Sequence, residues 1–275
     1  MLLPPAGQPE LLAARRHARD REGHYRTRTR ATMSESRRML AEMADPLFAE
    51  LGPDATEESD GARIDELGLP LLLVPEREGG FGGDWLDALT VFRLAGYHAL
   101  GPDLPAQIVG RVAEAGSPRQ FALMAFARTV QIAGALDAAL ALSVGYVNER
   151  RQFGRPLGKF QAVQQALAGF AGEAAAANCA AVGAAQALDR DDAAFEIAAA
   201  KLRANRAVEI GTTVAHQVHG AIGFTQEYGL HSLTRRLWQW RSEFGNDAYW
   251  SRELGSKVVA AGAEAFWPDL TARTG

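Results

Sequence analysis

The chain holds a single cysteine, Cys179, among 275 residues. One thiol cannot form an internal disulfide, and its Ala-Ala-Asn-Cys-Ala-Ala setting reads as a small residue on a helix. No cysteine–histidine cluster stands at ligand spacing, so no metal site is expected. Positive charge is not in excess either: 29 basic residues stand against 33 acidic ones, a formal net charge of −4. Without a basic face to meet a phosphate backbone, nucleic acid is not an expected partner. No run of about 18 apolar residues occurs, so no membrane span is expected, and residues 1–32 lack the apolar core of a secretory signal. A reducing, cytoplasmic compartment fits these absences.

What is present is 47% hydrophobic residues, enough to bury a core in one large or two modest domains. Residues 1–32 are rich in arginine, but Glu10, Asp20 and Glu22 argue against a transit peptide. They are expected to be a disordered arm, or to precede a true start at Met33. From Ser34, Leu40, Met43, Leu47 and Leu51 recur at helical spacing, with a kink or restart expected at Pro46. A short helix ends at Gly68. Leu71 to Val74 reads as an apolar run, extended or buried. The glycines of Glu78 to Gly83 demand turns. Asp84 caps a helix running through Trp85, Leu89 and Phe92 toward Leu100.

Gly101 to Pro118 holds Pro102, Pro105 and Pro118 and reads as a linker at a domain boundary. Beyond it, residues 119–151 contain no proline and form a long helix. A second runs from about Lys159 to Leu188, and a third from about Ala193 to Gly220. Three long helices joined by short turns want a fourth, which 246–266 can supply. The expected fold is mostly α: an N-terminal helical domain over 33–105, a linker over 106–118, and an antiparallel four-helix bundle over 119–275.

Two stretches carry chemistry. Arg150-Arg151-Gln152-Phe153-Gly154-Arg155-Pro156-Leu157-Gly158-Lys159-Phe160-Gln161 separates the first two long helices. Gln217-Val218-His219-Gly220-Ala221-Ile222-Gly223 ends the third. An arginine can fork onto phosphate oxygens, an aromatic can pack on a flat ring, and small residues let backbone amides approach an anion. His219 reads as a packed or hydrogen-bonded helix histidine.

In this order and at this distance, the two stretches resemble the C-terminal helical domain of the acyl-CoA dehydrogenase family. Gly68-Leu69-Pro70, Pro75-Glu76 and Gly79-Gly80-Phe81-Gly82 are similar to a segment of its N-terminal helical domain. The resemblance implies a FAD-dependent α,β-dehydrogenation of an acyl-CoA thioester. It implies an oligomer and an electron-transfer flavoprotein as acceptor. Arg150, Gln152, Phe153 and Gln161 match residues near the adenine and pyrophosphate of FAD, often that of a neighbouring subunit. Gln217, Gly220 and Ala221 match residues near its pyrophosphate and ribose, with Ala221 replacing a glycine.

The family base is a glutamate just before a glycine, in the loop after an arginine-rich helix. Phe244 stands at that position here, and Glu243, one residue early, is the candidate. The family's other location falls near Met124, which cannot act as a base. The family's β-rich middle domain has no counterpart between Leu104 and Arg119, and the N-terminal helical domain is shortened. Four readings therefore stay open: an oligomeric dehydrogenase, a non-catalytic subunit that completes the FAD site of a full-length homologue, an internally deleted remnant, and a helical bundle without cofactor.

Overall fold

The computed structural model describes residues 35–226 and 228–273; the expectations for residues 1–32 lie outside these. Helices dominate. The N-terminal part comprises α1 (Glu35–Leu51), α2 (Glu57–Glu66), α3 (Trp85–Tyr97) and α4 (Leu104–Val112). Then come the long helices α5 (Pro118–Glu149), α6 (Gln161–Leu188) and α7 (Ala194–His219). Three shorter ones follow: α8 (Leu230–Ser242), α9 (Asp247–Ala261) and α10 (Ala263–Ala272). Among the described residues the only sheet is a two-stranded hairpin, β1 (Arg151–Gln152) with β2 (Arg155–Pro156).

One sequence expectation is corrected, and two that named alternatives are narrowed. Pro46 does not break α1, which runs through it. The proline removes one backbone donor, but Ala44, Phe48 and Leu51 on either side of it are buried and keep the helix on its face. Leu71 to Val74 is not extended: Leu69–Leu71 is a 3₁₀ turn on buried Leu69 and Pro70. The supposed linker holds α4, with Asp103 as its N-cap and Leu104, Ile108 and Val109 buried. Pro105 is no obstacle, because first-turn N–H groups have no intrahelical partner to lose.

α5 is the axis of the molecule. It is long and apolar enough to cross a membrane by composition, yet its residues from Leu123 to Leu136 are buried by neighbouring helices. The core clusters give the direction of the chain. The first half of α5 (Leu123, Phe126, Val130) packs with the end of α6 (Ala184, Ala187) and the start of α7 (Ile197). The second half of α5 (Ile132, Leu136) packs with the start of α6 (Phe170, Ala174) and the end of α7 (Val208, Ala215). So α6 runs against α5 and α7. Alanine lining permits the close approach.

The flank expected from 246–266 is divided. Leu230, Leu233, Leu237 and Trp240 of α8 are buried against the second-half cluster. In α9 only Trp250 is buried, and it joins the first-half cluster. On the opposite side α3 crosses α5 at a pair of glycines. A Cβ on Gly96 would collide with the Gln131 carbonyl, and one on Gly134 with the Arg93 carbonyl. The backbones touch there, and only glycine permits it.

Candidate functional site

The end of α5 sets up the first half of the site. Arg150 is its C-cap, and the Arg150 carbonyl accepts from the Leu157 N–H at 2.9 Å. Arg151 pairs with Pro156 and Gln152 with Arg155. The two turn residues, Phe153 (φ 52°) and Gly154 (φ 79°), are both left-handed, the geometry two-residue hairpins prefer. Phe153 bears the steric cost of that conformation while staying 89% exposed. Its ring meets Phe160 edge-on at 6.2 Å, and the Arg155 guanidinium lies 4.1 Å over Phe160.

Because α6 and α7 form an antiparallel pair, the end of α7 returns beside the start of α6. An open cleft of about 590 Å³ lies between them. Arg150, Gln152, Gln217, Gly220 and Ala221 line it, joined by Tyr146, Leu157 and Val163. Phe153 stands at the hairpin tip and Gln161 opens α6; neither lines the cleft. His219 forms part of the wall and is 4% exposed. Its Nδ1–H donates to the Ala215 carbonyl at 2.7 Å, so Nε2 accepts from the Tyr228 hydroxyl at 3.1 Å. Its ring stacks on Tyr146 at 4.6 Å. Burial pushes the imidazole below its ordinary value. His219 is therefore a neutral strut that fixes Tyr146.

The cleft offers an anion an exposed guanidinium and accessible backbone. Arg150 and Gln217 are exposed, and nothing lies within 4 Å of where a Gly220 Cβ would stand. The backbone there is open to an approaching anion.

Glu243 lies elsewhere, in the turn between α8 and α9. Its Oε2 accepts from Arg128 Nε at 2.6 Å and its Oε1 from Gln239 Nε2 at 2.7 Å. Arg128 is 5% exposed and forks onto both oxygens of Asp103, at 2.9 and 2.6 Å. Burial alone would lower the guanidinium, but Asp103 and Glu243 hold it above its ordinary value. Lys201 approaches the same turn from α7. Its Nζ donates to Asn205 Oδ1 at 2.7 Å and to the Trp240 and Arg241 carbonyls at 2.9 and 3.1 Å. Burial pushes this amine down to about 7.

Residues 118–250 match the model of the acyl-CoA dehydrogenase C-terminal domain. This part of the chain is an acyl-CoA dehydrogenase C-terminal domain. Glutaryl-CoA dehydrogenase of Desulfococcus multivorans is 41% identical over 104 residues, which is 37% of this chain and 27% of that protein. The chain thus matches about a quarter of the length of that curated relative. Among solved structures, butyryl-CoA dehydrogenase from Megasphaera elsdenii superposes with a TM-score of 0.69 at 17% identity, covering 83% of this chain and 99% of the other. The ChsE4–ChsE5 complex from Mycobacterium tuberculosis gives 0.72 at 16% identity, covering 82% and 98%. At these identities the likeness is one of fold, and it extends to the helices before residue 118.

Sequence reading of this domain missed Arg128, Lys201 and the two tyrosines, Tyr146 and Tyr228, that hold His219. Arg128 did leave a signal: it is the only charged residue between Arg119 and Asp137. A lone charge on a helix apolar all round must be paired inside. Lys201 with Asn205 four residues on gives a fainter hint of the same kind.

Proposed function

We propose that the chain is a FAD-dependent acyl-CoA dehydrogenase that desaturates an acyl-CoA thioester between Cα and Cβ. The observation that carries this reading is the convergence of Arg150, Gln152, Gln217, Gly220 and Ala221 on one open cleft, inside a domain of this family. Arg150 would bind phosphate oxygens, the Gln152 and Gln217 amides would bind polar edges, and Gly220-Ala221 would offer backbone. FAD, when bound, supplies the acceptor for the β-hydride.

The α-proton needs a base, and Glu243 is the chain's candidate. Its Oε1, held by the uncharged Gln239 amide, is released at lower cost than Oε2, held by Arg128. Five residues, 113–117, join α4 to α5. Cover for the flavin ring would then come from a second chain, either another copy or a full-length homologue. The exposed Phe153 would reach into that partner's site. An electron-transfer flavoprotein would take the electrons onward in the cytoplasm.

The test is a visible spectrum of the purified protein with added FAD, followed by acyl-CoA. Flavin bands that bleach on adding acyl-CoA are expected. Arg150→Ala and Phe153→Ala should each weaken FAD binding about tenfold or more, from loss of one charge-assisted contact or one stacked ring. Phe153→Ala should leave the melting temperature nearly unchanged, since its ring is exposed. A protein that stays colourless alone and with a co-purified homologue would sink the reading.

A further inference from the structure

Lys201 lies midway along α7 and is 0% exposed. Its Nζ donates to Asn205 Oδ1, the Trp240 carbonyl and the Arg241 carbonyl, at 2.7, 2.9 and 3.1 Å. None of these oxygens carries a hydrogen to give back. An ammonium has three N–H donors; a neutral amine has two, and its lone pair would face an oxygen. Burial and the guanidinium groups of Arg128 and Arg241 oppose the charge, while Asp247 and Glu243 favour it. The number of acceptors decides: the site is built for the ammonium, and every N–H of it is used.

Two of the acceptors are orphan carbonyls in the last turn of α8. Asn205, one turn further along α7, gives its Oδ1 to the lysine. Its Nδ2 therefore points the other way and reaches the Gly245 carbonyl at 3.5 Å. α7 thus grips the backbone on both sides of Glu243 and Phe244. That backbone needs holding. Phe244 is left-handed (φ 51°) and Gly245 has φ 98°, conformations that persist only where the surroundings impose them. A Cβ on Gly245 would collide with the Trp250 indole. The Glu243 side chain is held separately, by Arg128 and Gln239.

We propose that Lys201, as the ammonium, is the positioning residue of the candidate base: together with Asn205 it fixes the stretch of backbone from which Glu243 projects. It acts through the turn and touches no reacting atom. The effect on catalysis rests on reading Glu243 as the base; the grip on the turn does not.

Hydrogen–deuterium exchange on the full chain tests the grip. It is read at the Glu243, Tyr249 and Trp250 amides, whose hydrogen bonds brace the turn. Lys201→Met, close in volume but without donors, should speed exchange there about tenfold or more, while amides of α6 keep their protection. Stopped-flow bleaching of the flavin-bearing protein tests the effect on the base, with butyryl-CoA and glutaryl-CoA as probes. Lys201→Met should slow bleaching by about ten- to a hundredfold, with the half-saturating thioester concentration within about twofold of wild type. In a Glu243→Gln background the same substitution should change the residual rate by less than about twofold. A merely structural role would lower the amount of folded protein and leave the rate per bound flavin alone. Unaltered exchange in folded Lys201→Met, or an unaltered bleaching rate, overturns the proposal. Should Lys201→Met not fold, Asn205→Ala, which removes one acceptor and frees Gly245, is read in the same way. A wild type that bleaches with neither thioester counts against dehydrogenation and not against the grip, which exchange then decides alone.

Discussion

His216 and His219 sit one turn apart on α7 and both are kept neutral by burial. Their folded values fall below the ordinary 6.5. Between the folded and ordinary values the unfolded chain binds more protons, so stability falls as pH drops below 6.5. Urea titrations at pH 7 and pH 5 should show wild type losing more stability than His219→Gln, whose side chain does not titrate. Equal losses would mean that the stack on Tyr146 tolerates an imidazolium. Single residues were unevenly legible. Arg150 and Gln217 were singled out by the resemblance of their two stretches to the family, and α6–α7 pairing brings those stretches to one cleft. Glu243 was put forward from its place one residue before the family's base position; its partners Arg128 and Gln239 lie 115 and four residues away in sequence. No local pattern encodes the first of these contacts.

Elements were read best where they are longest. A proline-free stretch with apolar residues in register leaves little choice but helix, and α5, α6 and α7 end within three residues of expectation. Prolines were the hardest to read: Pro46 lies inside α1 without ending it, and Pro105 sits in the first turn of α4, where a linker was expected. Proline is compatible with a helix when tertiary burial outweighs one lost hydrogen bond, or when the residue sits where no bond is due. The crossing of α3 on α5 was not legible, since a helical glycine alone does not say what approaches it. It is testable. Gly134→Ala should cost about 2–3 kcal/mol, because the added methyl meets a backbone carbonyl that cannot yield. Gly145→Ala, on the same helix with nothing within 4 Å, should stabilise by up to about 1 kcal/mol. Chemical denaturation of both variants gives the comparison, and similar behaviour would contradict tight contact.

For the whole molecule, Arg128 ties three parts into one body: α4 through Asp103, α5 through its own backbone, and the α8–α9 turn through Glu243. Arg128→Met keeps the volume but strands both carboxylates. Complete burial of such a network would put the loss at about 3–5 kcal/mol. With Asp103 42% and Glu243 28% exposed, about 2–3 kcal/mol is expected, seen as a lower denaturation midpoint with an unchanged slope. A broadened or biphasic transition would instead mean that α1–α4 unfold separately from α5–α9.

The short connector at 113–117 has a consequence for how such chains change over time. The start of α4 is tied to α5 by a contact that does not involve the connector, Arg128 on Asp103. Closing a longer loop between two such anchored points costs only about 0.6 kcal/mol per doubling of its length. The junction is thus a splice point: a whole folded module can be gained or lost there while the helices keep their places.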